Sequence, residues 1–152
     1  MTNFVWHESN KSKRHFRPKD HFYMNKKLLI TGATLGILGI VLGAFAAHGL
    51  EKLVDADAIK TFETGVRYQM YHAFFLLILG STSFVDLKSK KTIFYLVLFG
   101  LIFFSGSIYG LATNTLSNFD FKMIAWITPI GGLLLIIAWA VMLVGIIRGQ
   151  ND

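Results

Sequence analysis

The chain has 152 residues, 53% hydrophobic and only 16% charged, with a formal net charge of +6 and a mean hydropathy of +0.51. That balance excludes an ordinary soluble domain, whose apolar stretches are broken by polar faces. The lack of cysteine excludes a disulfide framework, a thiolate metal site and a catalytic thiol.

Residues 1–23 are polar, rich in Lys, Arg and His, and hold no apolar run able to build a core. Composition predicts a disordered basic extension. Met24-Asn25-Lys26-Lys27, directly before the first apolar run, reads as an alternative start of the chain made in cells. His7, His15 and His21 offer a weak metal-binding tract within the extension; a solvated tail is the plainer reading.

Four apolar runs follow, at about 28–47, 68–85, 93–112 and 124–147. The first, third and fourth are long enough to cross a hydrocarbon core of ~30 Å. The second is weaker: its strictly apolar part is 73–85, and Tyr68, Gln69, Tyr71 and His72 form a polar entrance. The expectation is an all-α, four-helix transmembrane bundle over 24–149. A short amphipathic interfacial helix is predicted between the first and second spans.

The first run ends near Ala44-Phe45-Ala46, which imitates a secretory cleavage site. A signal core is roughly 7–15 residues, and three more runs follow here, so a retained anchor is expected. Gly32, Gly36, Gly39 and Gly43 share one face of this run. With Gly106 and Gly110 in the third run, they are predicted as helix-packing positions, within the chain or in a homo-oligomer. In the connector, Asp55 is the predicted N-cap of the interfacial helix. Ile59, Phe62 and Val66 are its apolar stripe, laid on the membrane surface. Asp86 and Asp120 read as solvated span ends. In the fourth run, Thr128-Pro129 predicts a kink, with Thr128 satisfying a freed carbonyl.

Seven of the fifteen Lys and Arg precede the first run, and Lys88, Lys90 and Lys91 sit between the second and third. The connector 48–67 balances its bases with acids, and the loop after the third run has only Lys122. The bias predicts a cell-membrane protein with both termini and the middle loop cytoplasmic. It makes membrane lipids the expected partners, with a homo-oligomer or another membrane protein as further partners, and argues against nucleic acid.

This topology gathers the polar run ends on one side as a candidate ligand cluster: His48, Arg67, Tyr68, Tyr71, His72, Ser105, Tyr109 and Thr128. Ser107 is predicted to point elsewhere. Two histidines at one depth are a haem or transition-metal arrangement. A Tyr–His–Arg group suits a quinone or lipid headgroup, and a His–Tyr–Ser chain suits proton relay. The plainer reading is a network that pairs its own polar groups at the interface. Two histidines are a thin ligand set, so no metal or resident cofactor is predicted, haem and quinone being the alternatives. No G-x-S-x-G, P-loop, H-E-x-x-H or carboxylate pair within a span is present.

Four motifs occur in order: GAFAAHGL at 43–50, RYQMYHA at 67–73, FSGSIY at 104–109 and ITPIGG at 127–132. In these the chain resembles the YgdD/YwdK-like family of small inner-membrane proteins of unknown function, which has small eukaryotic transmembrane relatives. The resemblance covers roughly 24–149 and implies four membrane helices in a bacterial plasma membrane. It carries over no catalytic residue. Family members start close to the first span, so the extension 1–23 departs from the pattern. The combined expectation is a non-enzymatic membrane protein acting by binding or assembly. The alternatives are a cofactor- or quinone-linked redox component using His48 and His72, and a small oligomeric transporter.

Overall fold

The computed structural model describes residues 18–149, so His7 and His15 of the histidine tract, and most of the extension, lie outside the described residues. The described residues are helical, with α1 at Pro18–His48, α2 at Ala56–Ser81, α3 at Leu87–Leu101, α4 at Ser107–Ala112 and α5 at Ile127–Gly149. Between α3 and α4, Ile102–Gly106 is a single π turn. It makes the third span one rod, α3–π–α4, with an irregular middle. Among the described residues, three stretches are long and apolar enough to cross a membrane: Lys19–Lys52, Leu87–Ala112 and Ile127–Arg148.

The weakest run is held by protein on two sides. α2 packs along α1 on one side and against all three parts of the third span on the other, burying Gln69, His72, Phe75, Leu76 and Leu79. A helix with protein on two sides needs less hydropathy than one facing lipid over most of its surface. Pairings run antiparallel at each step. Methyl groups placed on Gly32, Gly39 and Gly43 would meet Leu77, Met70 and Val66 in turn. Ser105 then reaches Gly65, and Ser107 reaches Thr128.

Boundaries shift from the sequence reading in physically traceable ways. α1 starts at Pro18 rather than near Leu28, with proline in the first turn, where its missing N–H costs nothing. Met24 and Leu28 are buried in the core with Leu79, Val85 and Leu87. Asp55 does cap α2, accepting from the Ala58 amide at 2.8 Å. The capped segment runs into the second span, as its place in the chain predicts, and the two form one unbroken helix. Its stripe packs on protein. Phe62 joins Ala46, Leu50 and Ala112 in a second core, with Ile59 and Val66 against it.

Asp86 is an N-cap, not merely a solvated end, because its carboxylate accepts from the Lys88 and Ser89 amides. Asp120 likewise accepts from the Lys122 amide. Pro129 falls in the first turn of α5, where its missing N–H interrupts no bond of the helix interior, so the expected source of a kink is absent.

Lys90 was unremarkable in the sequence and is 1% exposed in the structure. Its ammonium donates to Asn25 Oδ1 at 2.8 Å and to the Thr82 carbonyl at 2.5 Å. It thereby joins α1, the α2–α3 turn and α3 at the basic end.

Candidate functional site

The predicted cluster separates into layers. Gly32 lies against the Ala73 carbonyl, so His72 is level with the middle of α1. His48 is sixteen residues further along, about 24 Å at 1.5 Å per residue. The two histidines therefore do not share a depth, contrary to the sequence reading. The error came from starting the second span at Tyr68, when α2 begins at Ala56 and has risen three turns by then. His48 is exposed. Arg67 is exposed too, and donates to the Thr64 hydroxyl at 3.0 Å.

His72 is 3% exposed. Its Nδ1 lies 2.8 Å from the Tyr68 carbonyl, and its Nε2 lies 3.3 Å from the Trp139 indole nitrogen. A carbonyl only accepts and an indole N–H only donates, so the ring is the neutral tautomer with its proton on Nδ1. Both nitrogens are engaged, which leaves no lone pair directed at a metal. Among the described residues no group of three or more His, Asp and Glu is placed to hold a metal ion. Tyr68 and Tyr71 are half-exposed and pack edge-on, and Tyr68 also stacks on Phe104. They behave as rim aromatics.

The residues that converge are Gln69, Ser105 and Tyr109. Gln69 Nε2 donates to the Leu35 carbonyl at 2.9 Å. The Tyr109 hydroxyl donates to Gln69 Oε1 at 2.9 Å, so the chain Leu35–Gln69–Tyr109 ties α1, α2 and α4 together. Amide orientation follows from the partners, since the Leu35 carbonyl requires a donor. Ser105 is 2% exposed and donates to the Gly65 carbonyl at 3.0 Å. Gln69 was read only as part of a polar entrance. Its signal was its phase: Gln69 continues the predicted apolar stripe, seven residues after Phe62 and three after Val66.

Ser107 and Thr128 form a second pair, their hydroxyls 2.6 Å apart. Ser107 thus points at α5, and Thr128 serves this contact rather than a freed carbonyl of a kink. Close backbone approach sets the pair: a methyl at Gly131 would overlap Phe104 N and come within 2.7 Å of Phe103 C. The predicted glycine set divides as well. Gly32 and Gly39 are crowded by α2, and Gly43 meets Val66 in ordinary contact. Gly110 is crowded by Phe121 of the following loop, whereas Gly36 has nothing within 4 Å and Gly106 only the Leu101 carbonyl at 4.0 Å. The last two are therefore not packing positions within this chain.

Gly106 instead borders a cleft of about 190 Å³ whose polar wall is Gln69, Ser105 and Tyr109 and whose apolar wall includes Leu35, Leu98 and Ile102. The π turn supplies Ile102, Ser105 and Gly106. Such turns widen a helix by one residue and concentrate at functional sites. The wall keeps spare capacity: Gln69 has a second amide N–H, and the Tyr109 oxygen can still accept. No cation borders the cleft, so it suits a neutral oxygen group rather than an anion.

Residues 42–132 match the family described as protein of unknown function (DUF423). The chain is 38% identical over 128 residues to a UPF0382 membrane protein of Haemophilus influenzae, covering 84% of this chain and 99% of that one. It is 34% identical over 125 residues to the UPF0382 membrane protein YwdK of Bacillus subtilis, covering 81% and 98%. To the UPF0382 inner membrane protein YgdD of Escherichia coli it is 36% identical over 124 residues, covering 80% and 89%. No solved structure matches the chain.

Proposed function

The chain belongs to the DUF423 (UPF0382) family of membrane proteins, and we propose that it acts by non-enzymatic binding within the bilayer. The proposed ligand is a lipid-phase molecule presenting a neutral hydroxyl or carbonyl to the cleft beside the π turn. The observation that carries this is the Gln69–Tyr109 pair. It spans three helices, lines a cleft, and retains one donor and one acceptor after its internal bonds are made. A polar group in lipid is costly unless paired; a ligand hydroxyl would use both positions, and a ligand carbonyl would accept from the Gln69 N–H. The surrounding leucine and isoleucine side chains suit its apolar part.

The test is mass spectrometry of small molecules retained by the protein in mild detergent, with the visible spectrum recorded alongside. A neutral amphiphile near one per chain, lost in both Gln69→Leu and Tyr109→Phe, is expected. A preparation free of such molecules, or one whose content ignores both substitutions, overturns the reading. The charge bias supports an orientation with both termini and the α2–α3 turn cytoplasmic. Reporter fusions check it, and an external C-terminus is the contrary result.

A further inference from the structure

We propose that the groove between the first turns of α3 and the last turns of α5 binds an anionic phospholipid, with its phosphate held by Arg148. The groove measures about 300 Å³. Ala140, Val141, Val144 and Gly145 line its length, with Ser89 and Arg148 as the polar residues. Ala140 to Arg148 covers about 12 Å of helix, long enough for the upper part of an acyl chain. Gly145 lets α5 pack closely on Val85, where a methyl would sit 3.1 Å away. An apolar trough ending in a cation has the polarity of a phospholipid with an anionic head.

The charges select the headgroup. Arg148 is exposed and makes no ion pair among the described residues, which leaves its planar fork of donors available to phosphate. The Ser89 hydroxyl is already committed, donating to Asp86 Oδ2 at 2.6 Å. The Asp86 carboxylate is in turn directed into the first turn of α3 by the Lys88 and Ser89 amides. Among the described residues, this end of the bundle carries Lys19, Lys26, Lys27, Lys88, Lys90, Lys91 and Arg148 against Asp20 and Asp86. The opposite end has four basic and five acidic residues. A zwitterionic headgroup brings its own cation into that positive field, and an anionic one does not.

The experiment is native mass spectrometry of the full chain titrated with phosphatidylglycerol or phosphatidylcholine. Wild type is expected to bind phosphatidylglycerol more tightly. Arg148→Gln should weaken that binding about fivefold and phosphatidylcholine binding by less, with Arg148→Lys restoring only part of the loss because an ammonium lacks the planar fork. Val144→Trp keeps every charge but fills the groove, so it should weaken both lipids. Lys122→Gln at the far end should change neither. Equal affinities in wild type, or an unchanged phosphatidylglycerol affinity in Arg148→Gln, overturns the assignment. Equal losses in Arg148→Gln and Lys122→Gln would mean a diffuse field without a site. Dimers that vanish in Val144→Trp at unchanged lipid occupancy would mean that a second copy fills the groove, and also overturn it.

Discussion

Two polar regions hold this bundle together, and they use opposite chemistry. At the basic end a single ammonium, Lys90, is sealed from solvent and donates to neutral oxygens of Asn25 and Thr82. Deeper in the bundle, Gln69, Tyr109 and Ser105 form a neutral layer that borders a cleft. The difference is in what remains after folding. Lys90 closes the α2–α3 turn by tying it to α1, whereas the neutral layer keeps unused donor and acceptor capacity beside open space. Closure and binding capacity are therefore placed on different residues.

The neutral layer depends on the π turn, and the π turn depends on Gly131. The methyl of Gly131→Ala would meet backbone on three sides: Phe104 N, Phe103 C at 2.7 Å and the Gly100 carbonyl at 2.8 Å. Backbone cannot rotate aside, so this should be the largest effect, about 3 kcal/mol of lost stability, at the upper end for overpacking. Gly36→Ala provides the contrast, since nothing lies within 4 Å; it should gain up to about 1 kcal/mol from helix propensity. Thermal unfolding in detergent reads both. Equal behaviour of the two variants would mean that α5 is not seated on the π turn.

Lys90→Met tests the other region. Removing a cation that makes two hydrogen bonds should cost about 2 kcal/mol. Its exposed neighbour offers the comparison, because Lys88→Met should change stability by less than about 0.5 kcal/mol. Similar losses from both substitutions would reduce Lys90 to one member of a basic surface. In the neutral layer the expected coupling is smaller. A double-mutant cycle with Gln69→Leu and Tyr109→Phe should give about 0.6 kcal/mol, the average for hydrogen bonds between membrane helices. A coupling near zero would leave the two side chains as independent wall residues.

These residues also show what a sequence can carry. The four runs, the Asp55 cap and the packing glycines Gly32 and Gly39 follow from local pattern: run length, a capping side chain and helical spacing. The layer assignments do not, because they depend on where α2 begins relative to its neighbours. Once α2 started at Ala56, His48 and His72 separated by about 24 Å, and Gln69 rather than His72 came level with Tyr109. Trp139 could not have been paired with His72 from spacing alone, since they lie on different helices. Lys90 was hidden for a related reason. Three lysines in four residues look alike until the helix phase turns one of them inward.

The smallest expected effect concerns the cap beside Lys90. Burial pushes the Asp86 carboxyl up, but the Ser89 hydroxyl and the Ser89 and Lys88 amides outweigh it and hold its pKa below the ordinary 3.8. A carboxylate whose folded pKa is depressed stabilises fully above its unfolded value, and the contribution is lost as pH falls through the folded one. Asp86→Asn keeps a capping oxygen without the titration. The stability difference between wild type and Asp86→Asn should therefore be constant above about pH 5 and shrink below 3.8. Its plateau should be about 0.5 kcal/mol, the usual size for a charge at a helix N-terminus. Thermal midpoints of both proteins across that range decide it. A difference that persists unchanged into strong acid would mean that the cap acts through its geometry and not its charge.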